Sequence, residues 1–332
     1  MSSMIRLLFI LLFSFFISST YAKNIFLRST PLNLTLKINL SELLLKKKFH
    51  YWERGGKKFL DATLSYKNED ISILVQNSGD LNYYQDLPPL KFKFNHPNYH
   101  FFRGHKMLKL ITHGKIKSGN ISKTINNFLA YKKFNILSPF SYKVRLVKIK
   151  YVDSSKALEP FIGWGFFVEP KRKILRRFPF KSLSRKKQSR KTNFNSKQTA
   201  LLHAFNFFIQ DTNRYFLDDN KFFHQKADLF SFNYFEVLAI PYDFSQSVIH
   251  WLNNRSPEEI NYILETSFAK KNWLKYPGLK YSELKNAFRL IYNKRTNFEN
   301  LYLNKSLPLN KKERKAYINY LDHFFKFLKN RI

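Results

Sequence analysis

Three short stretches hold the residue types that move or hold a phosphoryl group. They are Ile209-Gln210-Asp211-Thr212-Asn213, Asp218-Asp219-Asn220 and Ile240-Pro241-Tyr242-Asp243-Phe244. Each sets carboxylates or carboxamides on a loop, and Asp243 follows an apolar run, Phe235 to Ile240, that reads as a strand. Phosphoryl transfer needs a carboxylate base to orient the acceptor, and an Asn and an Asp to hold magnesium against the phosphates. The same residue types also form ordinary turns, so their chemistry alone leaves both readings open.

Other chemistries are excluded more simply. The chain has no cysteine, which rules out thiol catalysis, Cys-ligated zinc and a disulfide framework. It has no Gly-x-Ser-x-Gly elbow, no Gly-x-x-x-x-Gly-Lys-Ser/Thr loop and no Gly-x-Gly-x-x-Gly. His96, His100 and His105 cluster in sequence, but Pro97 and Gly104 interrupt any helix that would set them on one face. They are expected to be surface histidines.

The elements that must position these loops fall into two textures. From Leu32 to Leu40 apolar and polar residues alternate strictly, the pattern of a half-buried strand. Strand-like runs follow at Phe59–Tyr66, Ile71–Gln76, Leu90–Phe94 and Leu108–Thr112, which predicts a twisted antiparallel sheet. A helix after Ser122 carries Ile125, Phe128, Leu129 and Ile136 on one side and stops at Ser138-Pro139. A long strand, Lys143 to Val152, comes next, and Gly163 to Glu169 reads as another. Residues 171–191 hold eleven Lys or Arg in twenty-one positions and read as a basic linker or insertion running to 198. Beyond 199 the spacing is helical: Leu201, Ala204, Phe205 and Phe208 share one face, and Tyr317, Leu321, Phe324, Phe325 and Leu328 another. The expected organisation is a β-rich lobe over 23–170, a basic connector over 171–198 and a mainly helical lobe over 199–332, an α+β arrangement.

The N-terminus predicts export. Arg6 gives a positive start, Leu7 to Ile17 form an apolar block, and Thr20-Tyr21-Ala22 offers a cleavage site after Ala22. The block is far shorter than the roughly 20 residues that span a bilayer, and no later segment is long and apolar enough. Residues 1–22 are therefore expected to be a signal peptide and the mature chain to be periplasmic or secreted. The formal charge of +35, from 58 basic and 23 acidic residues, surrounds it with positive potential. An anionic envelope polymer or acidic surface, met through 171–191, is the expected partner, and nucleic acid is not expected outside the cytoplasm. A chain rich in Lys, Asn, Ile, Phe and Tyr also fits an AT-rich genome, which raises lysine content without selection for binding.

Much of the chain resembles exported bacterial proteins distantly similar to the spore-coat protein H (CotH) family of atypical kinases. The similar segments are Asp86 to Phe94, Lys109-Leu110-Ile111-Thr112-His113, Phe128-Leu129-Ala130-Tyr131, Tyr142 to Asp153 and Ile240 to Phe244. The resemblance implies a two-lobed protein-kinase-like fold, with an antiparallel N-lobe sheet carrying one helix and a mainly helical C-lobe, using ATP and Mg2+. It implies that Lys91 or Lys93 contacts ATP, that Glu169 is the acidic residue near the lobe connection, that Asn220 is a polar ligand and that Asp243 binds metal. Where the family pattern reads Gly-Asn-x-Asp this chain has Gln210-Asp211-Thr212-Asn213, so an amide, Asn213, replaces the expected catalytic carboxylate. An amide cannot accept the acceptor proton, and a positioned base is worth roughly 10²–10⁴ in rate. The implied outcome is a pseudokinase, or a weak phosphotransferase using Asp211. Relatives also tend to carry a Cys before Pro-Pro-Leu and another after Thr-His; Gln85 and Gly114 stand there. The alternative from another class is a non-catalytic basic protein that binds anionic polymers or lipid surfaces.

Overall fold

The structure is a computed structural model. It describes residues 25–49, 59–67, 69–78, 87–95, 101–114, 122–183, 193–211, 227–232, 236–245, 247, 255–270 and 279–332. The signal-peptide stretch, His96, His100, Asn213 and Asn220 lie outside these residues. The fold is α+β: a closed seven-stranded barrel followed by a mainly helical region. Its chain groups into two compact units, residues to 116 with 145–168, and residues 117–144 with 169–332. No helix among the described residues is long and apolar enough to cross a membrane.

The first unit is built from β1 (Leu32–Ile38), α1 (Leu40–Phe49), β2 (Leu60–Tyr66), β3 (Glu69–Asn77), β4 (Leu90–Phe94), β5 (Met107–Ile111), β6 (Val144–Asp153) and β7 (Phe161–Val168). Around the barrel the order is β1-β2-β3-β4-β5-β7-β6, and closure comes from parallel pairing of β1 with β6, Leu32 beside Val147 through Ile38 beside Asp153. A barrel leaves no unpaired edge to recruit other strands. The alternating apolar residues turn inward as their spacing predicts: Leu32, Leu34, Leu36 and Ile38 meet Leu64, Ile73, Val75, Leu90, Phe92, Leu110, Ile149 and Phe167 in one core.

The first strand stops two residues before the alternation does. Asn39 caps α1 by accepting the Glu42 N–H at 2.9 Å, and the Leu40 N–H donates to Asp153 Oδ1 at 2.9 Å. Two orphan helix donors are satisfied, so the chain turns into a helix where the apolar pattern alone continues as a strand. Asp153 also accepts from Ser155 Oγ (2.7 Å) and from the amides of Ala157 (3.0 Å) and Leu158 (3.1 Å). Burial works against its charge, yet the hydrogen bonds from Ser155, Leu40 and Leu158 outweigh it and hold the carboxyl below its ordinary value.

The second unit contains α2 (Ser122–Leu137), α3 (Lys171–Arg177), β8 (Lys181–Leu183), α4 (Ser196–Phe208), β9 (Ala227–Phe232), β10 (Glu236–Pro241), α5 (Pro257–Lys270), α6 (Tyr281–Asn293), α7 (Arg295–Leu303) and α8 (Lys311–Lys329). Strands β8, β9 and β10 form a small antiparallel sheet in the order β10-β9-β8. Helix α4 is buried nearly all round, Gln198, His203 and Asn206 included, as a central helix must be. Its Phe207 and Phe208 pack against Phe268, Phe288, Phe298, Phe324 and Phe325 from the surrounding helices. Helix α8 opens with a reciprocal cap between Asn310 and Glu313 and buries Tyr317, Leu321, Phe324, Phe325 and Leu328, the face its spacing predicts.

Residues 171–183, read from their charge as a connector, hold α3 and β8. Ile174 is fully buried, Lys171 pairs with Asp228 at 2.9 Å, and Arg177 pairs with Glu169 at 2.7 Å. One apolar anchor and two ion pairs fix this segment although six of its thirteen residues are basic. His105, expected at the surface, is 1% exposed and packs edge-on against Phe26 at 5.6 Å.

Candidate functional site

Two acidic loops meet in the second unit, and the chain reaches each by a short route. Helix α4 ends at Phe208, and Gln210 turns the chain by taking a left-handed conformation (φ 48°) with its side chain donating to the Phe207 carbonyl at 2.7 Å. Asp211 follows, 5% exposed, with its N–H donating to the Asn206 carbonyl at 3.0 Å. The other loop leaves β10 at Pro241 and places Asp243 in the left-handed region as well (φ 56°). A β-bridge joins Asp211 to Ser247, and Ser247 Oγ donates to the Ile209 carbonyl at 2.8 Å. Asp211 and Asp243 therefore sit on loops stitched together at one place.

The second loop is held from below by α2. Its Asn127 and Tyr131, one helical turn apart, face the loop. The Asp243 N–H donates to Tyr131 Oη at 2.7 Å and the Phe244 N–H to Asn127 Oδ1 at 3.0 Å. The Phe244 ring stacks edge-on against Tyr131 (4.8 Å) and Phe205 (5.6 Å). The Asp243 carboxylate, half-buried, accepts the Ser245 N–H at 3.2 Å, which fixes its rotamer. Of the four non-glycine residues with positive φ among those described, two are Gln210 and Asp243. A non-glycine residue there costs about 1–2 kcal/mol and persists only where surrounding contacts hold it, a pattern that gathers at ligand sites.

Of the remaining sequence-derived candidates, Lys91 and Lys93 belong to the first unit and Glu169 to the second. Lys91 and Lys93 lie on the outer face of β4 in the first unit, opposite to the inward Leu90, Phe92 and Phe94. Lys91 stands beside Gln76 and Lys109, and Lys93 Nζ lies 5.6 Å from the Phe59 ring. Glu169 is 4% exposed, and its carboxylate accepts from the Lys143 N–H (3.1 Å) and from Arg177 (2.7 Å). Burial raises its carboxyl, against the opposing pull of Arg177. These partners tie the chain at Lys143 to the end of α3, a structural task. Asn213 and Asn220 fall outside the described residues.

Asn127 and Tyr131 escaped the sequence reading as loop supports. The loop they hold lies more than a hundred positions further along the chain, beyond the reach of any local spacing. Magnesium held against phosphates takes one or two carboxylates and keeps several waters. Asp243, pinned and half-exposed, is a donor of that kind. Among the described residues no three acidic or histidine side chains converge into an all-protein metal cage.

A separate cluster in this unit surrounds Lys133 on α2. It is 1% exposed, with Nζ 4.9 Å from the Phe208 ring and 5.1 Å from the Tyr302 ring. Burial brings its amine down to about 7. Tyr302 stacks on Tyr317 at 4.5 Å, and Tyr317 Oη donates to Asn126 Oδ1. Compared with known proteins, the chain matches no protein-family model and no curated sequence.

Proposed function

We propose that the chain is an exported CotH-like, kinase-fold protein whose phosphotransfer site is degenerate, binding ATP and Mg2+ as a pseudokinase or transferring phosphate only weakly. What carries the reading is the bridge between Asp211 and Ser247, which sets the loop after α4 beside the loop that bears Asp243. Helix, acidic loop, strand pair, then metal-type Asp is the chain order in which kinases bring a catalytic loop and a metal loop together. Asp243 serves as the metal donor and Asn220 as a polar ligand. Asp211 stands two residues before the amide, Asn213, that replaces the expected base. The resemblance assigns the nucleotide contact to Lys91 or Lys93, on β4 of the first unit, and the acid near the lobe connection to Glu169, whose carboxylate accepts from Lys143 and Arg177.

The test restores the base. In a phosphotransfer assay with radiolabelled ATP and magnesium, Asn213→Asp should raise the rate by roughly 10²–10⁴ over the natural chain. Adding Asp243→Ala to that variant should abolish the gain. An Asn213→Asp chain no faster than the natural one would overturn the degenerate-site reading.

A second reading has its own observation. On α3 burial, and after it the neighbouring cations Arg176 and Arg172, lower the Lys173 amine against the opposing pull of Glu169, so positive charge is crowded on this helix. That crowding favours an anionic polymer along 171–191, and binding to a soluble polyanion that vanishes at high salt would support it.

A further inference from the structure

The outer face of the barrel where β7, β6 and β1 run side by side carries a combination that the phosphotransfer reading does not use. On β6 the exposed residues are Lys148 and Lys150, and the parallel register sets them beside Asn33 and Thr35 of β1, with Lys37 one step further along. On β7 Ile162 is 58% exposed, and Trp164 stands half-exposed with Lys148 Nζ 6.0 Å from its ring. None of Lys37, Lys148 and Lys150 forms an ion pair among the described residues. Asp61 is the exposed carboxylate on the adjoining strand β2, two positions along from Thr63, the partner of Lys37.

We infer that this face docks on the surface of an anionic lipid bilayer. Three unneutralised lysines supply attraction to acidic headgroups, and a tryptophan with a protruding isoleucine supplies the amphipathic and apolar parts that settle at the headgroup level. Lysine stems lie along apolar surface while their amines stay in the polar layer, so both parts act at one depth. An anionic glycan fits less well. Sugar recognition by tryptophan uses an open ring face, and Lys148 already covers the ring of Trp164. The strands are part of a closed barrel, so the face is rigid and loses little entropy on docking.

Vesicle co-sedimentation separates this face from the general field of a chain with net charge +35. The probe is vesicles of phosphatidylcholine with or without phosphatidylglycerol. The mature chain should bind the vesicles that contain phosphatidylglycerol and be released by salt. Each lysine at a bilayer surface is worth about fivefold in affinity, so Lys37→Thr/Lys148→Thr/Lys150→Thr should weaken binding about a hundredfold. The charge-matched Lys311→Thr/Lys312→Thr/Lys315→Thr, at exposed positions of α8, should weaken it less than about tenfold. Ile162→Thr keeps every charge and should still cost about tenfold. Equal losses in the two triple variants, no loss in Ile162→Thr, or binding to soluble polyglutamate as tight as to vesicles would each overturn the inference.

Discussion

Replacing Lys133 by methionine should stabilise the protein at neutral and acidic pH. The side chain is 1% exposed, and burial takes its amine from 10.5 to about 7. At about 1.4 kcal/mol per unit, holding the charge there costs about 5 kcal/mol below pH 7. The faces of Phe208 and Tyr302 return about 1–2 kcal/mol as cation–π attraction, which leaves about 3 kcal/mol. The sign follows from proton counting. Between pH 7 and 10.5 the unfolded chain keeps the proton that the folded chain has released, so stability rises with pH across that window. Lys133→Met fills the same space without a charge. Urea unfolding at pH 6 should show the variant about 3 kcal/mol more stable, and the gap should narrow steadily toward pH 9.5. The series stops below pH 10 because burial holds Tyr302 and Tyr320 protonated in the fold, and their ionisation would add a separate loss. Parallel curves for the two proteins from pH 6 to 9.5, or a variant less stable at pH 6, would refute the reasoning.

Asp153→Ala removes the acceptor of the Leu40, Ala157 and Leu158 amides and should destabilise the barrel unit by about 2–4 kcal/mol, read by thermal unfolding. Because the folded carboxyl lies below its ordinary value of 3.8, the charge-dependent part of this contribution is complete above that pH and is lost as pH falls through the folded value; the gap between the natural chain and the Asp153→Ala variant should narrow in acid. Gly163→Ala drives a Cβ to 2.1 Å from the His113 ring, which is boxed in by Tyr151 and Phe161. It should cost about 1–3 kcal/mol, most of it recovered when His113→Ala is added. A double variant as unstable as the single one would show that the crowding lies elsewhere.

The strands were legible where local pattern decides. The alternation in Leu32 to Ile38 and Leu90 to Phe94 survives unchanged because each of these two strands has one buried face. Helix α1 was not legible, since its start depends on Asp153, 113 positions away. The parallel pairing of β1 with β6 is non-local in the same sense, so the expected antiparallel sheet closed into a barrel instead. In 171–183 charge density hid a helix that one buried isoleucine and two ion pairs hold. At the candidate site the acidic residues could be named from sequence, and Asp211 and Asp243 sit on adjoining loops. What holds those loops could not be named: Asn127 and Tyr131 act across more than a hundred positions, where no spacing rule reaches. Glu169 could be named from sequence as an acidic residue, but not the arginine that pairs with it.

The central claim is that Asp243 and the loop beside it form a nucleotide–magnesium site, and calorimetric titration of the mature chain with ATP tests it directly. With magnesium present, one ATP should bind per chain; with magnesium chelated, or in Asp243→Ala, binding should be lost or weakened by at least about tenfold. Absence of binding under both conditions, or equal binding by the natural chain and Asp243→Ala, would contradict the account.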